Sequence, residues 1–353
     1  MKKKQGPWRI TFDTNPDDCN LRCIMCEEHS IYSPCQIKRK EQGLPRRRMG
    51  IELIEKIMEE TKNSNLKEII PSTMGEPLLY RDFEKILDLC KKYEVKLNLT
   101  TNGTFPKFGA KKWAEKIVPV GSDVKISWNG ATKQTSELIM IGSNFESRVQ
   151  NVKDFVKVRD EIADAGGNFC RTTFQLTFIE SGLAEIPEVV KLAASLGVNR
   201  VKGHHLWVFT KEMEEESMRR NHDSIKRWNT IVDQTLEMQE RYRLPNGEKV
   251  LLENIYHLEE NATEELVSKG VCPFLGKEAW VSAKGRFGPC CAPDEDRKTL
   301  GDFGNLNEQS LLDIWESPAY KNLQENYLEN PVCKKCNMRK SVENTCEAEL
   351  ATV

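Results

Sequence analysis

The chain has 353 residues, of which 39% are apolar, enough for one large domain or for a medium domain and a small one. Its 52 Lys and Arg nearly balance its 54 Asp and Glu, and this net charge of −2 gives no reason to expect binding to nucleic acid. We see no apolar stretch long enough for a membrane span and no secretory signal, so we expect no membrane partner and a cytoplasmic location.

The first part of the chain alternates segments of strand and helix periodicity. The predicted strands are residues 8–12, 67–70, 95–101, 124–128, 171–179 and 200–209, and the predicted helices are residues 51–60, 82–92, 111–118, 144–165 and 186–196. Such alternation implies parallel strands with right-handed crossovers, and six units are too few for a closed eight-stranded barrel. We therefore predict an α/β fold, a partial (β/α)6 barrel over residues 1–210.

Three cysteines follow the first predicted strand with the spacing C-x₃-C-x₂-C: Cys19, Cys23 and Cys26. Most [4Fe–4S] clusters have four cysteine ligands, so three thiolates leave one iron open to a ligand from outside the protein. Zinc and disulfides are the alternatives, but zinc ribbons usually carry two C-x₂-C pairs, and cytosolic thiols stay reduced. The loop lies at the carboxyl end of a parallel strand, where ligands bind in such sheets.

Polar turns follow the next three strands, at residues 74–77, 100–103 and 127–130. In the first of them Gly75 permits a close backbone approach, and Glu76 can accept a hydrogen bond from an ammonium group. Gln175 lies within an apolar strand, where its amide needs partners. Ordinary turns and a structural hydrogen bond are the simpler explanations of these features.

A second group of cysteines lies near the end of the chain: Cys272, Cys290, Cys333 and Cys336. A hairpin at residues 278–289 and a helix at residues 310–326 are predicted between them. Four thiolates are enough for one cluster or one zinc ion, and the residues alone do not choose between the two. We predict a helical connector over residues 211–270, a metal domain over residues 271–340 and a disordered tail over residues 341–353.

These motifs resemble those of the radical S-adenosylmethionine (AdoMet) enzymes, and the resemblance covers nearly the whole chain. It implies that the first three cysteines hold a [4Fe–4S] cluster whose open iron binds AdoMet. The positions that the resemblance assigns to AdoMet are Met25, Gly75, Glu76, Pro77, Thr101, Asn102, Ser127, Asn129 and Gln175. Two positions depart from the family pattern, since Met74 replaces a glycine and Asn129 stands where aspartate is common.

The C-terminal spacing resembles the twitch domain, the shortened form of the SPASM extension of these enzymes. The resemblance implies a small α+β domain in which Cys272, Cys290, Cys333 and Cys336 hold one auxiliary [4Fe–4S] cluster. Cys291 is then either a buried thiol beside that cluster or a catalytic hydrogen-atom donor, as in related epimerases.

The resemblance implies that AdoMet is cleaved reductively to a 5′-deoxyadenosyl radical, with flavodoxin or ferredoxin as the reducing partner. We predict oxidation or epimerisation of a polar small molecule such as an aminocyclitol or sugar. Because no recognition domain precedes the first strand, we expect this more than epimerisation or crosslinking of a ribosomal peptide. A non-catalytic metal-binding or electron-transfer protein is the contrasting hypothesis, and it predicts no AdoMet cleavage.

Two smaller features leave alternatives open. The basic run at residues 46–48 is either solvated loop charge or a rim that steers an anionic substrate. His204 and His205 are neighbours on the sixth predicted strand, so only one of them can face the interior of the barrel.

Overall fold

The computed structural model describes residues 5–72, 74–260, 270–292, 294–336 and 338–339. In this part of the chain the strands are β1 (Arg9–Phe12), β2 (Glu68–Ile70), β3 (Lys96–Thr101), β4 (Gly121–Ser127), β5 (Arg171–Phe178), β6 (Arg200–His205), β7 (Leu251–Glu253), β8 (Glu278–Val281) and β9 (Phe287–Gly288). The helices are α1 (Cys35–Glu41), α2 (Ile51–Thr61), α3 (Phe83–Tyr93), α4 (Gly109–Ile117), α5 (Lys133–Ile139), α6 (Phe145–Asp164), α7 (Glu180–Leu183), α8 (Ile186–Leu196), α9 (His222–Arg241), α10 (Asp294–Thr299), α11 (Leu311–Trp315), α12 (Pro318–Asn326) and α13 (Pro331–Lys334). No helix of the described ranges combines the length and the apolarity that crossing a membrane requires.

The first six strands are neighbours in chain order and pair in parallel throughout. Crossover helices bury their apolar stripes against one face of the sheet, as α6 does with Val152 and Phe155. Gly197 ends α8 with φ 71°, a left-handed conformation that glycine adopts without steric cost. The predicted partial barrel is confirmed.

Three strands extend the sheet beyond the six predicted ones. β7 pairs in parallel with β6, and β8 pairs in parallel with β1 while forming the predicted antiparallel hairpin with β9. The segment predicted as a purely helical connector therefore contains both α9 and β7. A strand of three residues is too short to show alternation, and its partner lies about fifty residues away, so periodicity could not find it.

The single helix predicted at residues 310–326 is wrong, because it is interrupted between α11 and α12. Pro318 has no N–H to donate and starts a new helix at its first position. Ser317 caps that helix, since its side chain accepts from Tyr320 N at 3.3 Å. The tail predicted at residues 341–353 lies outside the described residues.

Candidate active site

The loop between β1 and α1 carries the first three cysteines. It is tied to the end of α5, because Ile24 N donates to Ile139 O at 2.9 Å. Burial, helped by nearby negative charge, raises the pKa of Cys19 to about 11 and that of Cys23 to about 12. The charge acting on Cys19 comes from Glu76 and Cys26, and that acting on Cys23 from Cys26 and Cys19. Cys26 acts on both of them, so the three thiols lie within electrostatic reach of one another.

The turn after β2 packs directly on this loop. Gly75 has φ 79°, and a Cβ atom at this position would lie only 2.3 Å from Asn15 O. Glu76 N donates to Asp18 O at 2.7 Å, and Asn15 Nδ2 donates to Glu76 O at 2.9 Å. Glycine is needed here because the turn and the cysteine loop touch through their backbones.

The Glu76 side chain joins the ends of β2 and β3. It is fully buried and accepts from Thr101 Oγ1 at 2.8 Å, Asn102 N at 2.7 Å and Leu78 N at 3.1 Å. Burial raises the pKa of Glu76 to about 7, although these three donors pull it down. Because all three partners donate, they favour the ionised carboxylate, the form that a contact with an ammonium group requires.

Arg148 of α6 is a buried cation that the sequence reasoning missed. Only 1% of the residue is exposed, and its guanidinium donates to Asn102 O at 3.0 Å and to Ser127 O. It also packs 4.4 Å from the centre of the Trp128 ring. Burial lowers the pKa of Arg148 to about 10, and the charge of Cys23 raises it. The side chain thus links the ends of β3 and β4 beside the cysteine loop. An arginine on the apolar stripe of a helix is the signal that could have revealed it.

The remaining predicted cofactor contacts have structural partners of their own. Met25 packs against a small apolar cluster that includes Leu206 and Met213. Pro77 opens a short 3₁₀ turn, and the Asn129 side chain accepts from the backbone N–H of a β5 residue at 3.1 Å. Whether these side chains also contact AdoMet stays a prediction.

Neighbouring residues of β5 and β6 divide between the two faces of the sheet. Gln175 Nε2 lies 3.3 Å from His204 Nδ1 on the inner, concave face. His205 faces the helices instead, where its ring centroid lies 5.3 Å from that of Phe178 and 4.9 Å from that of Trp228. Only His204 is therefore directed into the barrel, as the alternation of strand residues requires.

An ion-pair network holds the outer side of the cysteine loop. Arg47 lies 2.6 Å from Asp17 and 2.8 Å from Glu28, and Arg48 lies 2.7 Å from Asp18. The Arg47 side chain is only 14% exposed and is committed to two carboxylates. For this residue both expectations, solvated charge and a substrate-steering rim, are wrong.

This network should make part of the stability depend on pH. Burial opposes ionisation of Asp17, but hydrogen bonds from Arg47 and Gln36 outweigh it and lower the pKa of Asp17 from 3.8 to about 2. A pKa that is lower in the folded than in the unfolded protein adds stability. This stability is fully present above the unfolded-state pKa and is lost as the pH falls towards the folded-state pKa. We expect Asp17→Asn to remove about 1 kcal/mol of the stability difference between pH 6 and pH 3. Urea denaturation of both proteins at the two pH values measures this difference. An equal loss of unfolding free energy in both proteins would contradict the lowered pKa of Asp17.

The second cysteine group comes together around the β8–β9 hairpin and α13. Burial, together with the charges of Cys272 and Cys336, raises the pKa of Cys290 to about 12 and that of Cys333 to about 11. Burial also raises the pKa of Cys291, and the same thiols add to the rise. The structure thus places the four predicted ligands and Cys291 in one neighbourhood. Every cysteine in the described part is a free thiol.

The chemistry of the cysteine thiols shows whether they fit an iron–sulfur cluster. Among the residues that the structure describes, no group of three or more His, Cys, Asp or Glu side chains is arranged to hold a metal ion. Both cysteine groups nevertheless consist of half-buried thiols whose ionisation is opposed by their partial burial and by mutual repulsion. Coordination to iron would supply the positive charge that stabilises such thiolates, so these donors fit a cluster in each group.

Comparison with known protein families agrees with this division. Residues 16–164 match the Radical SAM superfamily, and residues 272–337 match SPASM, an iron–sulfur cluster-binding domain. The chain therefore contains a radical SAM domain followed by a SPASM domain. These domains imply [4Fe–4S] clusters and AdoMet as cofactors, as the motifs predicted.

Individual relatives were found by sequence and by structure. The tungsten-containing aldehyde ferredoxin oxidoreductase cofactor-modifying protein of Pyrococcus furiosus is 24% identical over 338 residues, which is 91% of this chain and 85% of the relative. SuiB of Streptococcus suis bound to S-adenosylmethionine has a TM-score of 0.64 at 16% identity, over 95% of this chain and 73% of that one. Native anSMEcpe with bound AdoMet has a TM-score of 0.63 at 15% identity, over 98% and 96%. At these identities the structural likeness establishes the fold.

Proposed function

We propose that this radical SAM protein with a SPASM domain cleaves AdoMet reductively and removes a hydrogen atom from a polar small molecule, which it then oxidises. The convergence of the buried cysteine loop with the Glu76 turn at the carboxyl ends of the strands carries this proposal. Sugars, aminocyclitols and organic cofactors belong to this substrate class. The relative from Pyrococcus furiosus is named as a cofactor-modifying protein, and this supports a small molecule over a peptide.

Each residue of the cysteine loop and of the turns packed on it would have its own role in AdoMet cleavage. Cys19, Cys23 and Cys26 would hold the cluster; with AdoMet it supplies a radical strong enough to remove hydrogen from an unactivated C–H bond. Glu76 would accept a hydrogen bond from the ammonium group of AdoMet. Arg148 positions the ends of β3 and β4 that lie beside it. Flavodoxin or ferredoxin would donate the electron.

The second cysteine group suits net oxidation. Loss of a hydrogen atom leaves a substrate radical, which must lose one more electron and a proton to become an oxidised product. An auxiliary cluster on Cys272, Cys290, Cys333 and Cys336 would accept that electron. The partial burial of these thiols limits the access of water to such a centre.

AdoMet cleavage itself is the direct test of the proposal. Anaerobically reconstituted protein with dithionite and AdoMet should form 5′-deoxyadenosine and methionine in equal amounts. The non-catalytic hypothesis predicts neither product, and their absence would refute the proposed function.

Replacement of Cys291 by alanine separates oxidation from epimerisation. In an oxidase we expect Cys291→Ala to keep forming product, because the substrate radical loses an electron and needs no hydrogen donor. Turnover in D₂O, followed by mass spectrometry of the product, measures this, with Cys35→Ala as the control thiol. Continued AdoMet cleavage with loss of product would instead identify Cys291 as the donor of an epimerase.

A further inference from the structure

The concave face of the sheet is lined by polar side chains that solvent reaches. Along β4, β5 and β6, partly exposed residues alternate with buried ones, and the partly exposed positions include Lys125, Gln175, Lys202 and His204. The intervening residues, such as Val201, are buried beneath the helices. The barrel interior is therefore open and polar rather than filled by an apolar core.

Lys125 is the charged group of this face that lacks a partner. No hydrogen bond or ion pair joins its ammonium group to any other residue that the structure describes. The nearby carboxylates are paired with arginines: Arg9 lies 2.5 Å from Glu68 and 3.0 Å from Glu278, and Arg200 is paired with Asp123. Lys125 thus has an unused positive charge inside the barrel.

Lys125 lies among other cations of this face, Arg9, Arg200 and Lys202, each of which is already paired with a carboxylate. Burial and the charges of Lys202 and Arg9 lower the pKa of Lys125 to about 8. The charges of Asp123 and Glu68 act in the opposite direction and have smaller effects. Burial, Lys202 and Lys125 together lower the pKa of His204 to about 4, so this imidazole is neutral. Lys202 itself lies 2.5 Å from Glu253. A bound anion would relieve the repulsion between these groups.

Unpartnered polar atoms lie on the same face. Thr11 is 3% exposed and Asn98 is 5% exposed, and neither Thr11 Oγ1 nor Asn98 Oδ1 has a hydrogen-bond partner in the described structure. Thr11 shares the face of Arg9, two residues earlier on β1, and Asn98 Nδ2 donates to Glu68 at 3.0 Å. Buried polar atoms are rarely left unpaired, so these two point to a ligand in the barrel.

We infer that the concave face binds an anionic group of the substrate, a phosphate or a carboxylate, with Lys125 as its main contact and Lys202 as the second. The inference rests on the proposed function, because it names the substrate class of the same site. Lys125 precedes Ser127 by two strand residues and so lies about 7 Å deeper than the rim at which AdoMet is expected. An anion held there would fix the non-reacting end of the substrate and leave its reacting carbon at the rim.

Calorimetric titration tests this inference without turnover. Inorganic phosphate and succinate are titrated separately into the anaerobically reconstituted full chain with AdoMet and no reductant. We expect one of the two anions to bind in the millimolar range, and Lys125→Met to weaken that binding about tenfold or more. Lys125→Arg keeps the charge and should retain binding, while Lys153→Met removes an exposed lysine of α6 and should leave it unchanged.

The outcomes are distinct. Binding of phosphate that is lost in Lys125→Met assigns a phosphorylated substrate, and the same result with succinate assigns a carboxylate. Equal affinity of Lys125→Met and the unaltered chain, or no binding of either anion by the unaltered chain, overturns the inference. A failure of the proposed function appears separately, as absence of 5′-deoxyadenosine when reductant is added to the unaltered protein.

Discussion

Replacing Cys23 by alanine is expected to reduce the formation of 5′-deoxyadenosine to background. The thiol lies at the centre of the cysteine loop, where it feels the charges of Cys19, Cys26 and Arg148. Two remaining thiolates cannot hold a cube that normally needs at least three. We expect the reconstituted wild-type chain to contain about eight irons and the variant about four, because the second cysteine group is untouched. Iron analysis and chromatography of the nucleoside measure the two effects.

Cys35→Ala is the matched control for this experiment. Cys35 begins α1, nine residues after Cys26, and is a half-buried free thiol like Cys23. It should keep the full iron content and the rate of cleavage. If Cys23→Ala still cleaved AdoMet, the cysteine loop would not hold the cluster that binds AdoMet. If the unaltered chain held only about four irons, the auxiliary cluster would be absent.

Gly75→Ala is expected to disrupt the same site through packing alone. A Cβ atom would lie 2.3 Å from Asn15 O and 2.8 Å from Asp18 O, both backbone atoms of the cysteine loop. The positive φ adds a second penalty, and together the two cost about 3 kcal/mol or more. The loop can relieve the overlap only by moving away from Glu76. We therefore expect both a lower melting temperature and a loss of iron from the first cluster.

Gly43→Ala separates the two penalties. Gly43 also has a positive φ, of 61°, but a Cβ atom there would meet nothing within 4 Å. This variant should lose only about 1 kcal/mol and retain its iron. If Gly75→Ala behaved in the same way, the close contact between turn and loop would not be what fixes the cysteine geometry.

Features that repeat along the chain could be predicted from the sequence. The strand and helix periods identified the six parallel strands, and the cysteine spacings identified both thiol groups. The turn at Gly75 and Glu76 was found through its residue types. Its contact with Asn15 and Asp18 was not, because a backbone-to-backbone approach between distant segments leaves no period.

Single long-range partners could not be predicted. Arg47 reads as one member of a basic run, and only the fold shows that it pairs with Asp17 and Glu28. The position of Arg148 on the apolar stripe of α6 could reveal that it is buried, but not that it donates to the ends of two strands. In both cases the partners lie on other elements of the fold. The number of residues between an arginine and its partner follows no periodicity, so the sequence does not reveal the pair.

The parallel pairing of β8 with β1 has a consequence for solubility. A strand at the edge of a sheet presents unpaired N–H and C=O groups to which another chain can add. From Arg9 to Phe12 that edge is covered by Glu278 to Val281, four matched positions from the SPASM part of the chain. The strand that leads into the first cysteine loop is thus shielded from self-association by the part of the chain in which the second set of thiols lies.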